Sequence, residues 1–225
     1  MRKLKLFVQF VVVCLPWKLR RTVLTKFYKY EIAASARIGF SWVFPKTLEM
    51  AAHSQIGHLN VAINLDAIQM EEHSKIGRRN WITGFPSTAN PRHFKHTPNR
   101  QPRLRMGAHS AITKNHHIDC TDEFSVGRFT TIAGYFSQFL THSIDVVHNR
   151  QSSLPISIGD YCFVGTNVVV LGGASLPNHC VLGAKSMLNK AFSEQYHLYA
   201  GVPAQALSPL PQDSGYFQRA VGFVE

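Results

Sequence analysis

Every sixth residue from Ile158 to Leu188 is apolar: Ile158, Val164, Val170, Leu176, Leu182 and Leu188 form an unbroken column. Four places after successive members stand Cys162, Val168, Ala174, Cys180 and Ser186, all small, and Gly159, Gly165 and Gly183 follow column residues directly. The same phase recurs upstream in Ile32/Ile38, Met50/Ile56, Met70/Ile76/Ile82, Met106/Ile112/Ile118 and Val126/Ile132, with Gly39, Gly57, Gly77, Gly107 and Gly127 in the second place. A period of six fits neither a helix of 3.6 residues per turn nor one flat strand; it fits short strands separated by corners. Three such sides make a coil of about 18 residues, and successive coils stack about 4.8 Å apart with their backbone groups paired above and below. The pattern covers most of residues 32–190 and predicts an all-β chain, a parallel β-helix; the β-helix domain is drawn over 32–206, with a basic amphipathic segment containing a short helix before it (1–31) and a tail after it (207–225).

Stacked coils place residues one coil apart at the same corner. Cys162 and Cys180, 18 apart, are read as small buried thiols rather than a disulfide, because free cysteine is a common core residue. The four cysteines include no CxxC pair, which fits reduced thiols. His53 and His73, each three places after a column Met, are expected to stack on the outside. No Asp, Glu or third His completes a ligand set there, and no metal is expected.

The chain carries 24 Lys and Arg against 13 Asp and Glu, a formal charge of +11, which calls for an anionic partner. The basic residues are not interleaved with aromatics, and no helix-turn-helix, RNP-like or zinc-finger spacing occurs, so nucleic acid is not expected. They concentrate instead near the start of the chain and in one polar loop. The run Leu4–Leu15 is apolar but too short to span a bilayer, and Trp17–Arg21 stands where a signal peptide would be cleaved. Two readings of this segment stay open. Flanked by Lys3, Lys5, Lys18, Arg20, Arg21 and Lys26, it lies along an anionic membrane surface, or it packs on the body or a neighbouring subunit. The expected location is the cytoplasm, or the inner face of the cell membrane.

Two polar segments break the period, at residues 86–104 and 138–155, and such excursions from a regular stack are where function tends to sit. The second carries Thr141-His142-Ser143-Ile144-Asp145, then His148 and Asn149. With IGDYCFVGTNVVVLGGASLPNHCVLGAKSMLNK at 158–190 and LYAGVPAQAL at 198–207, the chain resembles the hexapeptide-repeat acyltransferases, whose repeats form a left-handed parallel β-helix. Within them it is most similar to O-acetyltransferases of colanic acid, capsule and lipopolysaccharide synthesis. The resemblance implies the left hand, where crossover rules give the opposite. It also implies a homotrimer that moves an acetyl group from acetyl-CoA to a hydroxyl of a sugar in a surface polysaccharide or its precursor.

In that family a histidine in a loop at this place is the general base. A sugar hydroxyl is a weak nucleophile until its proton is removed, and imidazole titrates near neutral pH. His142 takes that role by resemblance, Asp145 is a candidate to hold its tautomer, and His148 is the rival base. Of the neighbouring pair His116 and His117, the phase turns His116 to an inward corner. The resemblance lays the CoA arm past Gly165, Thr166, Ala184, Lys185, Lys190, Gly201 and Pro203. Two departures stand out: Lys185 occupies a place where the family commonly has Gly, and Gln205 one where it commonly has Lys or Arg. Candidate oxyanion donors are backbone N–H groups near Gly165 or on an adjacent subunit. Arg92 and His93 in the first excursion suit an acceptor carrying phosphate, and His117, His148 and Asn149 join them as candidate substrate contacts. The alternatives are an N-acetyltransferase acting on an amino sugar, and a metal-dependent or non-enzymatic β-helix. Members of the first kind usually carry an extra nucleotide-sugar domain, and a third metal ligand beside His142 and His148 is not evident.

Overall fold

In the computed structural model, which describes residues 2–88 and 93–224, the six-residue steps become the sides of a three-sided parallel β-helix. The first sheet runs from Glu31–Ile32 to Ser175–Leu176 and the third from Trp42–Phe44 to Met187–Leu188, each with seven strands. The second, of nine strands, starts at Arg37–Ile38 and ends in an antiparallel hairpin, His197–Gly201 with Ala204–Pro209. The column from Ile158 to Leu188 is buried to 1 % exposure or less. Cys162, Val168, Ala174, Cys180 and Ser186 fill corners behind it, and Cys162 and Cys180 are free thiols. Glycine in the second place has a steric cause: a Cβ on Gly77 would stand 1.8 Å from the carbonyl oxygen of Thr113 on the next coil.

The coils are not of one length. Ile38 and Ile56 are 18 residues apart, Ile56 and Ile76 are 20, yet each pair is in register. The extra residues sit at corners, and this shifts one expected boundary. Phe139, not Gln138, takes the inward place, paired with Ile118 and Val170, so Gln138–Leu140 is a regular strand and the second excursion starts at Thr141. The first ends at 102, since Arg103–Met106 has already rejoined the first sheet.

Each of two corners carries a ladder. Between the second and third sheets, buried polar side chains satisfy the backbone of the next coil in turn. Asn60 N donates to Ser41 Oγ at 2.9 Å, Asn80 N to Asn60 Oδ1 at 2.9 Å, His116 N to Asn80 Oδ1 at 2.9 Å, and Ser137 N to His116 Nδ1 at 3.2 Å. Because Nδ1 accepts, the His116 proton is on Nε2, which points 3.0 Å from a Thr113 hydroxyl that itself donates to Gly134 O. Burial pulls the His116 imidazole down to about 4. The folded chain therefore takes up no proton there through the ordinary histidine range near 6.5, whereas the unfolded chain does. Stability from this group is present above pH ~6.5 and is lost as the pH falls toward about 4, by up to about 3 kcal/mol. Denaturant melts across that window should show a shallower loss in His116→Asn than in the parent chain.

Between the first and second sheets, seven rings stack face to face: His53, His73, His109, Phe129, Tyr161, His179 and Tyr196, at centroid spacings of 4.6–5.2 Å. All seven have φ near +60°, so the corner turns the rings outward at every coil. His53 and His73 stack as expected, as the first two members of this longer file. The tail covers its upper end: Phe217 stands edge-on to His179 and Tyr196, and the Tyr216 hydroxyl donates to Cys162 O at 2.9 Å.

The segment before the coils holds two helices rather than one, α1 (Arg2–Cys14) and α2 (Trp17–Lys26), separated at Pro16. α2 caps the open end of the core, with Leu24 fully buried and buried Arg20 donating at 2.7 Å to both Gly39 O and Ser41 O. None of the described helices is long and apolar enough to cross a membrane.

Candidate functional site

Both excursions leave the third sheet and return to the first, so they rise from one edge of the stack, two coils apart, with a single corner between them. That corner, Asp119 to Glu123, joins them. Phe85 N donates to Thr121 Oγ1 at 3.2 Å, and the Thr121 hydroxyl donates to Asp119 Oδ1 at 2.6 Å. The other carboxylate oxygen, Oδ2, accepts the His142 backbone N–H at 2.8 Å. Asp122 completes the seam, accepting Gln101 N at 3.2 Å on one oxygen and the Ser153 hydroxyl at 3.2 Å on the other.

The second excursion is an antiparallel hairpin, His142–Asp145 with Arg150–Ser153, and His142 stands at its base. Its ring meets the edges of Phe85 and Phe94 from the first excursion, at centroid distances of 5.4 and 5.9 Å. Arg100 braces Phe94 from 4.1 Å above the ring and donates to the carbonyls of Phe85 and Thr121. Burial draws the Arg100 guanidinium below its ordinary value, opposed by Asp122, Asp66 and Asp119. His142 Nε2 is hydrogen-bonded to Gln151 Oε1 across the hairpin. An amide oxygen only accepts, so the proton is on Nε2 and the lone pair is on Nδ1, which has no hydrogen-bond partner among the described residues.

Asp145 does not hold His142. Its carboxylate accepts His148 N at 3.1 Å, lies 2.8 Å from His148 Nδ1, and accepts Arg150 Nε at 3.2 Å. Those bonds, His148's first, hold the acid down to about 2. The pleat explains the outcome: in the hairpin His142 pairs with Ser153 and Asp145 with Arg150, at opposite ends. His148 and Asn149 lie at the exposed tip, and His93 adjoins Phe85 with centroids 6.1 Å apart. His117 is exposed on the outer face of the third sheet, in register with Trp81 and Gln138 and two residues from Asp119. Arg92 lies outside the described residues.

Most of the residues assigned to the CoA arm share the opposite edge of the third sheet. Lys185 N donates to Thr166 O at 3.0 Å, and Gly201 N to Ser186 Oγ at 3.1 Å. Lys185 has φ +57°, the left-handed backbone that glycine adopts without cost, which accounts for the glycine common at this place in the proteins the sequence resembles but not for the lysine here. A Cβ on Gly165 would stand 2.6 Å from Ala184 N, and the Gly165 N–H is already given to Leu182 O at 2.8 Å. Gly165 therefore serves coil packing and has no N–H to spare for an oxyanion. Pro203 is at the tip of the closing hairpin. Lys190 is apart from the rest, at the His142 edge two coils further on, its ammonium 5.1 Å from the Phe192 ring. Gln151 belongs to the polar run 149–153, which reads as loop in contact with substrate rather than as a partner of His142, and nothing in their spacing marks Phe85, Phe94 or Asp119. Among the described residues no group of three His, Cys, Asp or Glu side chains is placed to hold a metal ion.

No family model matches the chain, and no curated protein matches it. Solved structures do. A hexapeptide-repeat-containing acetyltransferase from Vibrio cholerae aligns over 62 % of this chain and 72 % of its own, at 23 % identity and TM-score 0.50. The polysialic acid O-acetyltransferase OatWY aligns over 80 % and 84 %, at 14 % identity and TM-score 0.50. The N-acyltransferase AntD from Bacillus cereus, in complex with dTDP-4-amino-4,6-dideoxyglucose and coenzyme A, aligns over 85 % and 89 %, at 10 % identity and TM-score 0.50. At these identities the likeness is one of fold: the chain has the β-helix of hexapeptide-repeat acetyltransferases.

Proposed function

We propose that the protein is an O-acetyltransferase moving an acetyl group from acetyl-CoA to a sugar hydroxyl, with His142 Nδ1 as the general base. The observation that carries this is the convergence of both excursions on one imidazole whose Nε2 is tied to Gln151 and whose Nδ1 bears the lone pair. In the reaction the acceptor O–H gives its proton to Nδ1 and its oxygen bonds to the thioester carbonyl carbon. The tetrahedral intermediate then breaks its C–S bond, and the leaving thiolate takes the proton back from the imidazolium, leaving a sugar ester and free CoA. Phe85 and Phe94 fix the ring's plane, and Asp119 fixes its backbone.

The CoA arm lies along Thr166, Ala184, Lys185, Gly201 and Pro203, with Lys supplying charge to phosphate. In one chain this edge and the His142 edge are separated by the width of the third sheet. A homotrimer in which one subunit's CoA edge faces its neighbour's His142 edge closes that gap, and sedimentation should give three times the 25.3 kDa chain mass. The fold-sharing structures named as acetyltransferases support acyl transfer, and AntD keeps amine acceptors as the alternative. Incubation with acetyl-CoA and an oligosaccharide panel separates the two: an added acetyl mass that mild alkali removes is an ester, and one that survives alkali is an amide.

The Asp145–His148 pair favours a second reading in which His148, oriented by a carboxylate at 2.8 Å, is the base. A pH profile of Gln151→Glu addresses the first reading specifically. A carboxylate beside Nε2 stabilises the imidazolium, so if His142 is the base the acid limb of kcat/KM moves to higher pH by roughly one unit. If His148 is the base, the limb stays where it is.

A further inference from the structure

Helix α1 is amphipathic in the inverted sense. It buries Gln9 at 5 % exposure, with Val12 and Val13, and turns Leu4, Leu6, Phe7, Val8, Phe10 and Val11 outward, Phe7 at 64 % and Phe10 at 54 %. Water does not favour a face of that kind, and a contiguous exposed apolar patch marks an interaction surface. Its surroundings specify the partner. The first 30 residues hold eight Lys and Arg and no Asp or Glu; Lys3 and Lys5 are exposed on α1 itself, and Lys18, Lys26 and Lys29 are exposed on α2 and just after it. A second copy of α1 would bring like charges together. An anionic lipid surface receives both the apolar side chains and the lysines.

We infer that α1 docks the protein in the plane of an anionic membrane surface, its Leu4–Phe7–Phe10 face among the acyl chains and its lysines at the headgroups. At 13 residues the helix is about 20 Å long and lies on the bilayer rather than crossing it. Its buried Gln9, Val12 and Val13, and the Arg20 anchor in the following helix α2, tie it to the first coils and leave the Leu4–Phe7–Phe10 face outward.

The test is flotation of the full chain with phosphatidylcholine vesicles, with and without phosphatidylglycerol, beside the double variant Phe7→Ser/Phe10→Ser. Both substituted residues are exposed, so thermal melting and sedimentation mass should be unchanged. The parent chain is expected to float with the anionic vesicles alone, less so as salt rises, and the variant to lose binding by about tenfold or more. Failure of the parent chain to float, equal flotation with pure phosphatidylcholine, or undiminished flotation of the variant overturns the inference. So does a variant that changes sedimentation mass while the parent chain does not float, since α1 is then a contact between subunits. Neither acetyl-CoA nor an acceptor enters this experiment, so its outcome is independent of the proposed activity.

Discussion

His142→Ala is expected to lower kcat by about a hundred- to ten-thousand-fold, the usual contribution of a positioned general base, and to leave folding and CoA affinity in place. The side chain lies outside the core: it stands on a hairpin beyond the stacked coils, and its contacts are with Gln151, Phe85 and Phe94. The residues assigned to CoA are on the other edge of the third sheet. His148→Ala is the companion measurement. Its ring is at the hairpin tip with 62 % of the side chain exposed, and its loss should change kcat less than about threefold. The reverse order of effects transfers the base to His148.

Asn80→Ala is expected to be the most destabilising of the conservative truncations in the coils, by about 4 kcal/mol. The side chain spans three coils: Oδ1 accepts His116 N at 2.9 Å, while Nδ2 donates to Asn60 Oδ1 at 3.1 Å and to Thr113 O at 3.3 Å. Truncation leaves the buried His116 N–H without its acceptor and opens a polar void in a closed corner. Each orphaned buried group costs about 1–3 kcal/mol. Denaturant midpoints would measure it; a loss near that of an exposed substitution, about 0.5 kcal/mol or less, would mean the ladder does not hold the coils together.

The β-helix was readable because its core is one-dimensional. A column such as Ile158 to Leu188 repeats at every side, so the period survives even where single residues deviate. Corners are less regular, and what depends on them was read less well. The shift from Gln138 to Phe139 follows from one added corner residue, invisible to a strict count of six. The aromatic file shows the same limit. His53 and His73 are one 20-residue coil apart, but His109 and Tyr161 follow the two excursions, and the spacing from His179 to Tyr196 drops to 17.

The site was legible as a place rather than as a set of contacts. The break in the period marked the loop, the family resemblance gave its histidine the base role, and the structure brings both breaks to one edge beside His142. Which groups touch the imidazole depends on pairing across the hairpin and between the two loops. Gln151 faces His142 because of the turn at 146–149, and Asp145 is carried to the other end by the same register. A carboxylate three residues away in sequence was therefore a poorer guide than an amide nine residues away.

The most direct test is a crystal structure of the assembled protein with coenzyme A. The expected result is the pantetheine arm along Thr166, Ala184, Lys185 and Gly201, its sulfur ending near a His142 imidazole that leaves an acceptor oxygen room within about 3 Å of Nδ1. Coenzyme A bound elsewhere on the stack, or ending with no His142 near its sulfur, would contradict the assignment of acyl transfer to this edge.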